Sequence, residues 1–139
     1  MASFVGKPAD LATHGPLVAV KLCAPKEVKP MVPPIDALAE INIALAHTYI
    51  QEGVATSLGL EPTGKVAITT ATKPRYEAHT FRLRIAFPEE RMAFEVVAVE
   101  VPYMLRPKAR IRCLIGRDIL QYGVLNYNGP ANTFSLDFS

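Results

Sequence analysis

IDALAEINIALAHTYI, residues 35–50, admits two backbones. Its alanines and leucines tolerate helix, but a strand that runs into a loop at 42–46 agrees better with the residues after it. Thr48 and Gln51 have the spacing of a capping box, in which two side chains satisfy the free N–H groups of a helix start. Ile50, Val54 and Leu58 then recur at helical spacing, and Gly59 stands where helices commonly end. The run is therefore read as strand, loop and then a helix over 47–60.

Outward from it, period-two alternation dominates. VAVKLC (18–23) sets Val18, Val20 and Leu22 on one face, and FRLRIAF (81–87) sets Phe81, Leu83, Ile85 and Phe87 against Arg82 and Arg84. Such alternation marks half-buried strands. FEVVAVEV (94–101) is Val-rich and reads as a more buried strand, followed by IRCLI (111–115), VLNY (124–127) and NTFSLDF (132–138). Asn128-Gly129 is a hairpin signal that Pro130 lengthens beyond two residues. RDILQY (117–122), between Gly116 and Gly123, is a helix of at most two turns. Pro25, Pro30, Pro33 and Pro34 make 24–36 an extended connection. The sum is an all-β domain with one or two short helices, built as a closed barrel or sandwich.

Length and composition agree with one globular domain. The chain has 139 residues, 50% of them hydrophobic and 20% charged, with a net charge of +2. That length buries roughly two-thirds of the unfolded surface without staples. Residues 15–139 form the domain, and 1–14 are set apart as an N-terminal segment whose order the sequence leaves open. Arg106, Lys108, Arg110 and Arg112 form a local basic cluster, read as a solvated strand face. A nucleic-acid surface wants more positive charge with aromatics interleaved. Cys23 and Cys113 read as two buried thiols in a reducing, cytoplasmic setting. His14, His47 and His79 show no metal-ligand spacing, and no apolar run reaches membrane-spanning length. His47 reads as a partly buried structural residue. Neither nucleic acid nor membrane is expected as a partner.

The order of the parts is more specific than any one of them. An apolar strand enters the loop at 42–46, and after it stand HTYI (47–50), a short helix and LGLEPTG (58–64). Then come a long hairpin, an apolar strand, LIGRDIL (114–120) and a closing hairpin. Over about residues 15–138 this resembles the retropepsin family, the single-domain aspartic proteases of retroviruses and their bacterial relatives. The resemblance implies a closed acid-protease barrel, a homodimer, an extended peptide as ligand, and no cofactor or metal. It also places the family's Asp-Thr-Gly-Ala on this chain. Counting back from Leu58, Asn42 stands at the Asp, Ile43 at the Thr, Ala44 at the Gly and Leu45 at the Ala. Asp36 lies six residues too early to be that acid.

In the family, each of two chains donates one Asp. The two carboxylates share a proton, because like charges about 3 Å apart cannot both ionise. The ionised one activates water and the protonated one polarises the scissile carbonyl. Asn42 cannot take that proton, Ile43 has no hydroxyl to bond across the two-fold axis, and Ala44 adds a methyl where two loops approach. The resemblance further implies that Gly116, Arg117 and Asp118 support the loop. Arg117's usual partner would fall near Ala46, which cannot pair. The hairpin from about Val66 to Ile85 matches the flap over bound peptide, its tip contributing Ala71, Thr72, Lys73, Pro74, Arg75 and Tyr76, without the glycines common in mobile flaps. Three functions are open to these residues: a homodimeric peptide-binding fold impaired in catalysis, an active endopeptidase that takes a carboxylate from elsewhere, such as Asp36, or a non-enzymatic β-barrel interaction module.

Overall fold

Alternating side chains put one apolar and one polar face on most segments of this chain, and such faces must close on each other. A computed structural model describes residues 2–6, 11–28, 32–69, 74–87, 92–102 and 111–138. In chain order its elements are β1 (Ala2–Gly6), α1 (Leu11–His14), β2 (Leu17–Cys23), β3 (Ile35–Ile41), β4 (Tyr49–Gln51), α2 (Val54–Ser57) and β5 (Gly64–Ile68). They continue with β6 (Tyr76–Ala86), β7 (Ala93–Val101), β8 (Ile111–Ile115), α3 (Arg117–Leu120), β9 (Gly123–Asn128) and β10 (Thr133–Phe138). The helices are single turns.

Six strands form a ring in the order β2-β3-β8-β4-β7-β6, which closes through Lys21↔Ala86, Leu22↔Ile85 and Cys23↔Arg84. Closure satisfies backbone groups that an open sheet would leave at its edges. The interior holds Leu22, Ala39, Ile50, Leu83, Ile85, Ala98, Cys113 and Ile115, each inaccessible to solvent. A smaller sheet, β1-β10-β9, turns Phe134, Leu136 and Phe138 into the same core. β9 and β10 are joined by residues 129–132, with Asn132 at φ 56°. Residues 2–6, in the segment set apart at the N-terminus, pair with β10 from Ala2↔Phe138 to Gly6↔Phe134.

β6 changes partners along its length. Arg84–Ala86 pair with β2, whereas 76–80 pair with β5. The β6–β7 pairing stops at Thr80↔Val99, and β7 goes on beside β4. The β5–β6 hairpin therefore leaves the barrel wall as a two-stranded ribbon. Its base is held by Thr63 and Thr80, whose hydroxyls lie 2.9 Å apart. Residues 70–73 lie outside the described part.

Two readings of the sequence need correction. The segment 47–60 is not one helix: Tyr49–Gln51 is a strand between β8 and β7, and only Val54–Ser57 is helical. Thr48 caps nothing. The helix start is Gly53 at φ 100°, with no side-chain cap. Burial of Ile50 between two neighbouring strands outweighs a local helical pattern of four residues. β7 is also less buried than its valines suggest: Val97 is 49% exposed, and Phe94 and Val96 pack against the core only half-buried. Cys23 and Cys113 are both buried and neither is in a disulfide. Among the described residues no helix is long and apolar enough to cross a membrane.

The fork where β6 leaves β7 carries one perturbed acid. Burial pushes the Glu100 carboxyl above its ordinary value of 4.5, and the nearby Glu52 adds to the rise; His79 and a bond from the Gly53 backbone pull it back. A raised carboxyl binds protons more tightly folded than unfolded, so stability is lost as pH rises from about 4.5 through the folded value. Glu100→Gln should therefore raise the melting temperature at pH 7, and the gain should vanish below pH 4. A gain of equal size at both pH values would contradict this account.

Candidate active-site loop

β3 and β4 are consecutive in the chain but not neighbours in the sheet, because β8 lies between them. β8 runs parallel to β3 and antiparallel to β4. Residues 42–48 must therefore cross the end of β8, a span of two strand spacings or about 9.5 Å. Ile41 pairs with Ile115, so the crossing passes directly over Ile115 and Gly116.

The crossing has a defined path. Asn42 N–H donates to the Ile115 carbonyl at 2.9 Å, which continues the β3–β8 ladder by one residue. The Asn42 Oδ1 then accepts the Ala44 N–H at 2.9 Å, a turn that Asn side chains favour. From the other side, Arg117 N–H donates to the Leu45 carbonyl at 2.8 Å and its Nη1 to the Ile43 carbonyl at 2.9 Å. Arg117 thus ties α3 to the loop through backbone oxygens rather than through an acid. Asn42 is half-buried, Leu45 partly so, and Ala44, Ala46 and His47 are exposed. The expectation of a partly buried His47 is thereby corrected, since only its backbone faces inward, against Gly116. Ile43 is 66% exposed, a large apolar side chain at the tip of the crossing. Ala44 is not among the residues with positive φ, so nothing in its backbone demands a glycine.

Gly116 leaves the room that the crossing needs. A Cβ there would lie 2.5 Å from the His47 carbonyl oxygen and 2.9 Å from that of Leu45. Its φ of −97° is ordinary, so the requirement is space alone.

Beneath the loop lies a polar knot in which sequence reasoning named Gly116 and Asp118 but missed Thr48. Thr48 is fully buried, the one polar side chain so placed among the described residues. Its hydroxyl donates to Asp118 Oδ1 at 2.7 Å and accepts the Gly116 N–H at 3.3 Å, and its own N–H donates to Asp118 Oδ2 at 2.9 Å. Asp118 Oδ1 also accepts the Ile119 N–H at 2.9 Å. Burial of the neighbouring Cys113 pushes its thiol up, and the Asp118 charge adds to this. The available signal was a threonine inside an otherwise apolar run. Thr48→Val keeps the shape but removes the hydroxyl, leaving buried partners unsatisfied; it should cost about 2 kcal/mol. The urea midpoint should fall with an unchanged slope, and a loss below about 0.5 kcal/mol would mean the knot is not a stabilising feature.

The other residues singled out in the sequence lie apart from the loop. Asp36 is at the far end of β3, about 20 Å along the strand. Its side chain is 84% exposed and pairs with Lys21 at 3.1 Å. This placement removes it as a replacement for Asn42 within the same chain. Pro74 and Arg75 are exposed and Tyr76 half-buried at the end of the ribbon; Ala71, Thr72 and Lys73 lie outside the described residues. Of the basic cluster, only Arg112 is described, exposed on β8. Among the described residues no three His, Cys, Asp or Glu side chains are placed to share a metal ion.

A closed six-strand barrel, with a loop threaded over a central strand and a ribbon leaving one wall, is the fold of the retropepsin-like aspartic proteases. The chain is similar to the crystal structure of a retropepsin-like aspartic protease from Rickettsia conorii, with TM-score 0.52 and 12% identity over 99% of this chain and 94% of that one. It is also similar to the solution structure of the simian foamy virus (mac) protease, with TM-score 0.50 and 11% identity over 77% of this chain and 93% of that one. No protein-family model matches the sequence, and no curated protein matches it.

Proposed function

We propose that this chain is a homodimeric, peptide-binding member of the acid-protease fold with little or no hydrolytic activity. The carrying observation is the chemistry of the crossing loop. Asn42 stands at the end of β3, held by Ile115 and by its own turn to Ala44, and in the register that the resemblance implies it takes the place of the family's acid. A carboxamide keeps the shape and can hydrogen-bond a peptide, but it neither titrates near neutral pH nor abstracts a proton from water. That loss removes general-base help worth roughly 100- to 10,000-fold.

Dimerisation is supported by exposure of Ile43, Ala44 and Ala46 on one loop. One chain supplies only one copy of the loop, so a cleft built from two copies needs a two-fold axis. An extended peptide would add as a strand between the β5–β6 ribbon and the loop, drawing affinity from main-chain hydrogen bonds.

Sedimentation and a peptidase assay test this together. The chain should sediment as a dimer and leave peptide substrates uncut between pH 3 and 7. Introducing a charge with Ile43→Asp should shift it to monomer without loss of fold. Pepstatin-sensitive cleavage by the unaltered chain would overturn the reading of an impaired site. A monomer at high concentration would favour the plain barrel module instead.

A further inference from the structure

Cys23 and Arg84 pair across the seam that closes the barrel, at the start of β3 and far from Asn42. Described residues between β2 and β3 line with them an open cavity of about 420 Å³. This is within the range of small-molecule sites, about 300–1,000 Å³. Ala24, Pro25, Val28, Val32 and Pro34 form an apolar wall, and among the described residues the charged lining is Lys26 and Arg84, both cationic.

The charges here are unbalanced in a specific way. Glu27, beside Lys26 in the chain, and Glu95, opposite Arg84 on β7, are both engaged by Arg82, Glu95 at 3.0 Å. Glu95 is the cross-strand partner of Arg84, yet its ion pair is with Arg82. Arg84 Nε is buried and has no hydrogen-bond partner. A buried N–H is costly to leave unmatched, and the rest of this half-exposed guanidinium is a planar fork that suits a carboxylate.

We propose that this cavity binds a small carboxylate carrying an apolar body of a few carbons. The carboxylate would sit on the accessible edge of the Arg84 guanidinium with Lys26 as the second cation, and the carbon chain against the proline and valine wall. Charge alone does not explain the apolar wall, and an apolar ligand would leave Arg84 unmatched. The same chemistry is offered by a free short-chain acid and by the terminal carboxylate of a peptide.

The test is an amide-resolved NMR titration of the full chain with four probes: hexanoate, acetyl-Val-Leu with a free C-terminus, hexanol and inorganic phosphate. Hexanoate or the capped dipeptide should saturably shift the amides of Cys23, Ala24 and Val28; whichever binds tighter identifies the source. Hexanol and phosphate should bind at least roughly tenfold more weakly, as should hexanoate to Arg84→Met. Equal binding of hexanol and hexanoate, tighter binding of phosphate, or an unaltered affinity in Arg84→Met would each overturn the proposal. If Arg84→Met does not fold, the hexanoate-to-hexanol ratio on the unaltered chain and a loss of affinity in Lys26→Gln decide it.

Discussion

A triple substitution, Asn42→Asp, Ile43→Thr and Ala44→Gly, should turn on peptide cleavage at acidic pH, by at least about 100-fold over the unaltered chain. A factor of 100 is about 2.7 kcal/mol of transition-state stabilisation. The expectation rests on how the loop is held. Its path depends on the Asn42 N–H, on the side-chain oxygen that caps Ala44, and on carbonyls that Arg117 binds. An aspartate offers the same oxygen to Ala44 N–H, so the turn should survive the change. It also adds the ionisable group that two copies could share, with one proton between them. The pH profile of the restored variant should accordingly be bell-shaped and pepstatin-sensitive.

The other two changes are needed for different reasons. Ile43 is largely exposed and has no hydroxyl to bond across a two-fold axis. Ala44 has no backbone need for glycine within one chain, so the gain from Ala44→Gly should come only from closer approach of a second loop. Asn42→Asp alone should therefore recover much less than the triple change. A triple variant that is folded and dimeric yet shows no cleavage would refute the placement of Asn42 in a protease-type site.

The largest loss of stability is expected from Gly116→Ala. The added carbon would press on the His47 and Leu45 carbonyl oxygens at 2.5 and 2.9 Å. Neither is the end of a flexible side chain. Moving Leu45 would break its bond from Arg117, and moving His47 would disturb the adjoining Thr48–Asp118 knot. Overpacking of a tight site typically costs about 1–3 kcal/mol, and this one should reach about 3. For a chain of this size that is roughly a 10 °C fall in melting temperature. Gly59→Ala provides the comparison: its φ of +68° strains an alanine, but nothing lies within 4 Å of the new carbon. It should cost only about 1 kcal/mol. Equal losses at the two glycines would show that Gly116 is not the seat of the crossing.

Much of the barrel was legible because its signal is local. FRLRIAF and NTFSLDF alternate with period two, and the alternating apolar members Phe81, Leu83, Ile85, Phe87, Phe134, Leu136 and Phe138 are in the core. The strand 35–41 and the turn after it could be read in the same way, as could the short helix after Gly116. The segment 47–60 misled, because a capping pattern and three apolar residues at helical spacing are local preferences. The two strands flanking β4 overrode them.

The sequence by itself determined most of the barrel strands, the turn-forming Asn42 and the glycine at 116, since each depends on residue type and near neighbours. Only the tertiary structure decided that residues 42–48 cross over β8, that Thr48 is a buried partner of Asp118, and that the ring closes through β2 and β6. These pairings join residues roughly 60 to 75 positions apart. Contacts at that separation leave no periodic trace along the chain, because they are set by which strands end up adjacent when the apolar faces close.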